Sequence, residues 1–222
     1  MNLLKKIHIA VIVGIATAIW AGVLLYRSLP VTFAELGSFS LVVTGTFFAV
    51  WLFDRYVWPC RVKGWCVFHG WLVACPDIRG TWEVELRSSW IDPKTGQGVP
   101  PIRCYYGVRQ TCTTLQMHLM TPESESWLQV HRFLPSNRTH GYKLAAVYTN
   151  EPNAFLRGQR SEIHHGTILL EFHGADPSHP DKFTGEYWTD RATKGTMTAR
   201  RISSRVVSTH ADGLALSADN PG

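Results

Sequence analysis
Histidine and carboxylate residues are the first place to look for catalysis, and the chain has ten histidines. Glu162 with His165, and His164 beside it, make a Glu-x-x-His run. With no second copy on a helical pattern, it falls short of a di-metal site. There is no nucleophile elbow, no phosphate-binding loop and no HExxH, and Glu83 and Glu85 alternate with apolar residues as strand-surface carboxylates do. The residues give no positive reason to expect an enzyme, a metal or a cofactor. A binding face is easier to find. Tyr187, Thr189 and Arg191 have one parity and project to one face of a strand, with Thr193 and Lys194 following at a turn. Such a face offers a guanidinium for paired hydrogen bonds to anionic oxygens, short hydroxyl donors and a flat ring. Tyr148 and Asn150, of matching parity on an earlier strand, add a second ring and an amide.

Each of these residues also has a structural reading. Trp82 suits a ligand wall and a core plug closing a barrel end equally well. Arg191 could pair with Asp190 or Glu186 on the surface, and Tyr148 and Tyr187 could be ordinary aromatic rungs. Asn150, before Glu151-Pro152, is a natural turn residue, and Gln110 could simply satisfy backbone groups inside a barrel.

The elements that would position these residues come from periodicity. From Pro76 onward apolar and polar residues alternate, beginning with Trp82, Val84 and Leu86 between Glu83, Glu85 and Arg87. Further strands are expected at residues 102–111, 113–120, 126–134, 142–149, 164–173, 182–189 and 196–203, separated by Gly, Pro, Asn and Asp clusters and by a Lys194-Gly195 turn. About eight strands in this length suit a small closed antiparallel barrel, lipocalin-like in form, that can hold one small ligand; a two-sheet sandwich is the alternative.

Before the strands lie two apolar runs, at residues 7–26 and about 33–58, each long enough to cross a bilayer as a helix. A short loop joins them, so a transmembrane hairpin is expected. Lys5 and Lys6 before it and Arg55, Arg61 and Lys63 after it place both termini in the cytoplasm by the positive-inside rule. A cleaved signal peptide ending near Ala16-Thr17-Ala18 is the competing reading, against which the apolar run continues to Leu25. The net charge of +5 is partly juxtamembrane and suits acidic lipid without implying a nucleic-acid polymer. Cys60, Cys66, Cys75, Cys104 and Cys112 contain no CxxC pair, so reduced thiols are expected.

Several segments then line up with a known pattern: Pro76 through Trp82 (PDIRGTW), Arg109-Gln110-Thr111, the TPESES stretch at 121–126, His165-Gly166-Thr167 and the GEYWTDRATKG stretch at 185–195. Occurring in this order after two spans, they make the chain resemble the two-transmembrane, β-strand-rich effectors of cyclic-oligonucleotide-based antiphage signalling systems (CBASS). Cys112 departs from the pattern, at a place where a large aromatic residue is expected. The resemblance implies a cyclic dinucleotide, made by a partner nucleotidyltransferase, bound in a cytoplasmic β-barrel. Homo-oligomerisation, disruption of the inner membrane and abortive infection would follow.

On that reading Arg191 takes a phosphate and Thr189 and Thr193 supply hydroxyls. Tyr148 and Asn150 meet a base, and Tyr187, Lys194, Trp82 and Gln110 complete the candidate set. The expected organisation is a two-helix hairpin at 1–58, an interfacial connector at 59–75, the barrel at 76–203 and a disordered tail at 204–222. A membrane-tethered carrier of a hydrophobic ligand is the rival function, and it would require a lumen lined mainly by aliphatic side chains.

Overall fold
In the computed structural model the chain forms two compact units, Met1–Trp58 and Pro59–Gly222. The structure describes residues 3–28, 30, 35–62, 65–66, 68–69, 73, 75–91, 95–136, 141–157 and 162–219. In the first unit α1 (Leu3–Tyr26) and α2 (Glu35–Leu52) are helices, and α2 continues through a wider turn at Phe53–Val57. Trp20 donates from Nε1 to the Ser38 hydroxyl at 2.8 Å and sets its ring edge against Phe39. Among the described residues one helical stretch, Gly37–Val57, is long and apolar enough to cross a membrane, with a mean hydropathy of 1.4. In α1, Ile12–Tyr26 is a further apolar helical stretch among the described residues. Phe33, expected at the start of the second span, lies outside the described residues.

The second unit opens with β1 (Arg61–Val62) and β2 (Trp65–Cys66), a two-residue antiparallel ladder. The connector expected at 59–75 therefore includes short extended segments where it is described. Eight longer strands follow: β3 (Gly80–Ser88), β4 (Ile102–Gln110), β5 (Leu115–Met120), β6 (Ser124–Pro135), β7 (Tyr142–Pro152), β8 (His164–His173), β9 (Lys182–Thr189) and β10 (Lys194–Ser203). Each pairs antiparallel with its sequence neighbour, and β10 returns to β3, so the sheet closes with no free end. Closure removes the exposed edges that would otherwise recruit other chains. Lys194 and Gly195 belong to β10 rather than to the turn expected there. The turn is Asp190–Thr193, where Ala192 takes a left-handed φ of 58°.

Alternation decides what enters the lumen. Trp82, Val84 and Leu86 of β3 point inward, as do Cys104, Tyr106 and Val108 of β4 and Leu144, Ala146 and Tyr148 of β7. The half of the lumen where the chain enters is solid. Trp82, 1% exposed, packs against Phe172 and Phe183 and donates from Nε1 to the Ile78 carbonyl at 2.9 Å. Gln110 bridges the entering segment: its Oε1 accepts from the Ile78 amide at 3.0 Å and its Nε2 donates to the Pro76 carbonyl at 2.9 Å. The Arg201 guanidinium lies 4.9 Å from the Trp82 ring centroid and donates to the Asp77 carbonyl and the His179 ring. Gly80, at φ +118°, starts β3 directly beneath the Ser203 carbonyl, where no side chain fits.

The segment after β10 is a correction to the sequence reading. Instead of a disordered tail it carries α3 (His210–Ala218), capped by Thr209, whose hydroxyl accepts from the Asp212 amide at 3.1 Å. This segment covers the outside of β3 and β4. The Thr81 hydroxyl donates to the Arg205 carbonyl at 2.6 Å and accepts from the Val207 amide at 3.1 Å. Val207, Tyr105 and Met120 form a second, outer core with Ile202 and Leu216. Ser217 donates to Glu83 at 2.7 Å, and Glu83 is also held by Arg200 at 2.7 Å.

Two outcomes follow from this packing. Ending the chain at Ser203 re-exposes Tyr105 and Met120, which should remove about 3 kcal/mol or more of stability and lower the thermal midpoint by several degrees in a melting experiment. Asp77 supplies a pH test. Burial pushes its carboxyl pKa up, but hydrogen bonds from Arg79 and His179 and the charge of Arg79 outweigh that and hold it well below the usual carboxylate value. The stability it contributes is thus complete above the unfolded value of about 4 and disappears only as pH falls through the lower folded value. Asp77→Asn should melt below the wild type at neutral pH, and the two curves should converge in strong acid.

Candidate functional site
The other half of the barrel is hollow. A cavity of about 350 Å³ opens between the loops that join β3 to β4, β5 to β6, β7 to β8 and β9 to β10. Its walls carry Leu86, Ile102, Leu119, Ile168 and Met197, and nearer the mouth come Ser126, Asn150, Thr189, Thr193 and Arg191. The lumen of an eight-stranded barrel has room for one small ligand once large side chains are withheld from it.

Tyr148, Asn150, Tyr187, Thr189, Arg191 and Thr193 are brought together in this one cavity. Parity accounts for the strand residues. Tyr148 and Asn150 of β7 follow the inward-facing Leu144 and Ala146, and Tyr187 and Thr189 of β9 follow the inward-facing Phe183. The turn after β9 is rigidly built. The Thr189 amide donates to the Thr193 carbonyl at 2.9 Å, and the two threonine hydroxyls share a hydrogen bond of 2.6 Å. Asp190 is tied back to β8, its amide donating to the His165 carbonyl at 3.0 Å and its Oδ2 accepting from the His165 amide at 3.0 Å. Arg191, between these anchors, is exposed at the rim.

Three candidates lie elsewhere. Trp82 and Gln110 belong to the solid end, where their polar atoms serve the entering backbone. Lys194 has the opposite parity to the inward-facing Met197, does not line the cavity and is exposed. The Glu162, His164 and His165 cluster separates too. His164 lines the cavity, while His165, the next residue, faces outward and bonds the Thr149 hydroxyl at 3.0 Å. A hydrolytic arrangement needing both imidazoles in one cleft is therefore not built. Among the described residues, no group of three or more His, Cys, Asp or Glu is placed to hold a metal.

Sequence reasoning missed Ser126, which is buried and donates to Asn150 Oδ1 at 2.8 Å. That bond fixes the amide of Asn150 and leaves its Nδ2 as a donor. Also missed were the aliphatic wall and Glu123, a carboxylate at the rim. The electrostatic balance is simple. Burial raises the phenol pKa values of Tyr106 and Tyr148, and burial raises that of Tyr187 although a hydrogen bond with Ser88 opposes it. The three rings are thus neutral at physiological pH and place no negative charge opposite Arg191. Burial also pushes the Cys104 thiol up to about 12, so it is an inert core group. Cys60, Cys75, Cys104 and Cys112 form no disulfide.

Such a cavity can take flat, apolar ring systems against its walls and anionic oxygens at its rim. No curated protein matches the chain. A family profile described as "Cap15, cyclic dinucleotide receptor domain" matches residues 73–201, more than half of the sequence and the whole of the closed barrel as far as Arg201. With a barrel of the expected strand number, hollow at the end where the candidate ligand residues gather, the chain belongs to the Cap15 family of cyclic dinucleotide receptors, β-barrel effectors of CBASS.

Proposed function
We propose that this protein is a signal-gated membrane effector of antiphage defence. A cyclic dinucleotide made by a partner nucleotidyltransferase enters the open half of the barrel. Tyr148 and Tyr187 offer faces to a base, Asn150 donates from Nδ2 to the ligand, and Arg191 with the hydroxyls of Thr189 and Thr193 holds a phosphate at the rim. The observation that carries this reading is the convergence, in one cavity, of a cation, hydroxyls, an amide and two rings that the sequence distributes over two strands and a turn. Binding is the whole of the chemistry, with no turnover.

The membrane half of the proposal rests on α1 and α2 as an antiparallel hairpin in the inner membrane, with both termini and the barrel in the cytoplasm. The charge distribution supports that orientation, since Lys5, Lys6, Arg55, Arg61 and Lys63 flank the hairpin whereas its connecting loop balances Arg27 with Glu35. One thin hairpin has too few polar side chains to line a pore, so the lesion needs many copies. Ligand binding drives oligomerisation, the clustered hairpins disrupt the bilayer, and the infected cell dies before the phage matures. The aliphatic walls at Leu86, Ile102, Leu119 and Ile168 would also suit a hydrophobic ligand, as a tethered carrier requires. Arg191 at the mouth gives such a ligand nothing.

Calorimetric titration of the full-length protein in detergent with a panel of cyclic dinucleotides tests the receptor reading. One-to-one binding of at least one member is expected. Arg191→Ala should weaken it about tenfold or more, since a charge-assisted hydrogen bond is worth about 1.5–3 kcal/mol, while leaving the thermal midpoint in place. Undiminished affinity in that variant would remove Arg191 from the site. A second test separates anchor from effector. Deleting residues 1–56 should leave ligand binding intact and abolish growth arrest in cells supplied with the ligand, and arrest that persists would assign the toxicity to the barrel.

A further inference from the structure
Two glycines of the barrel lie near the starts of their strands, directly across from Tyr148 and Tyr187, two of the three tyrosines that line the cavity. Gly166 on β8 pairs with Tyr148 on β7, and Gly195 on β10 pairs with Tyr187 on β9. Neither has the left-handed φ that would call for glycine on backbone grounds. Both are explained by close approach. A methyl group at position 166 would overlap Cζ and Oη of Tyr148, and one at position 195 would overlap the Arg87 carbonyl oxygen on β3 and stand 2.5 Å from Cε1 and 2.8 Å from Cζ of Tyr187, so Gly195 admits both the neighbouring backbone and the ring. Each ring therefore lies down across bare backbone on the neighbouring strand, as aromatic side chains do over cross-strand glycines. Gly185 provides a contrast within the same barrel. A methyl group there would meet Leu170, which belongs to the filled core and not to the cavity wall.

We propose that Gly166 and Gly195 are positioning residues of the ligand site, recessing Tyr148 and Tyr187 into the wall so that the lumen stays open and each ring presents its face to a base. The proposal deepens the cyclic dinucleotide reading above and rests on it. The physical argument is one of width. Counting round the closed sheet, β3 stands opposite β7 and β5 stands opposite β9. Leu86 and Leu119 on those strands also line the cavity. The space between a recessed tyrosine and the facing aliphatic wall is a slot for a planar group, and stacking needs a ring face and not a ring edge. A Cβ beneath either ring would lift it toward the barrel axis, closing the slot from one side and turning the ring edge-on. The rings are buried and neutral, which suits a surface meant for a base and not for a cation or metal.

The test is a double-mutant cycle on the full-length protein, titrated with whichever cyclic dinucleotide binds the wild type tightest. Gly166→Ala and Tyr148→Leu should each weaken binding tenfold or more. The double variant should be no weaker than Tyr148→Leu alone, because a glycine that acts only through the ring has nothing left to position once the ring is gone. Losses that multiply in the double variant would overturn the proposal by assigning Gly166 a general structural role. So would wild-type affinity in either single variant. A methyl group at position 166 would also stand 2.6 Å from the Trp188 carbonyl oxygen, so Gly166→Ala is expected to melt earlier. Should it fail to fold, Tyr148→Leu decides alone, with unchanged affinity overturning the platform and a tenfold loss supporting it. A folded wild type that binds no member of the panel would instead overturn the receptor reading itself, and this proposal with it.

Discussion
A closed sheet of eight strands encloses a lumen so narrow that the size of the inward side chains alone decides whether it is solid or hollow. Everything in this protein's binding half depends on how that constraint is met. At the end where the chain enters, tryptophan and phenylalanine fill the space and Gln110 stitches the incoming backbone to β4. At the other end Tyr148 and Tyr187 lie close against glycines of the neighbouring strands and much of the wall is aliphatic or small and polar, so a cavity remains. The solid half provides the stability that allows the hollow half to stay empty, because large buried rings carry most of the apolar area available to a domain of this size.

The charges follow the same division. Asp77, Arg79, His179 and Arg201 are linked by ion pairs and hydrogen bonds around the plug, and Glu83 is held on the outer wall by Arg200 and Ser217. In the cavity, by contrast, the charged side chains are at the rim, where Glu123 and Arg191 both border the opening, Arg191 on a turn whose threonines and Asp190 are braced by hydrogen bonds.

Much of this is legible in residue order, for a physical reason. Strand parity is a strict period of two, so once Leu144 and Ala146 are assigned inward, Tyr148 and Asn150 follow, as Tyr187 and Thr189 follow from Phe183, and β8 and β9 begin and end where the alternation does. Parity does not report depth. Trp82 and Gln110 point inward like the site residues but lie at the far end, and nothing local distinguishes the two ends before the pairing is known. Lys194 reads as a turn residue because Gly195 beside it looks like turn chemistry, whereas that glycine lies in β10 against the Arg87 carbonyl and the Tyr187 ring and the left-handed turn residue is Ala192. Ser126 needs its cross-strand partner, Asn150, to acquire meaning. The last helix is legible in part, since Thr209 and Asp212 stand at capping-box spacing. Its small residues hide it, because Gly213 is there to let the helix close on the Tyr105 ring.

The separation of the plug from the mouth has a consequence for how such a receptor can diverge. The hydrogen bonds that hold the plug involve residues 76–82, 110, 179 and 201, none of which borders the cavity. The four loops at the opposite end can therefore exchange residues, lengthen or change charge without loosening the closure of the sheet. A lineage under pressure to follow a changing signal could rewrite the mouth repeatedly on an unaltered base. Relatives with different ligands would then be expected to differ most where β3 meets β4 and β7 meets β8, and least around the tryptophan that seals the other end.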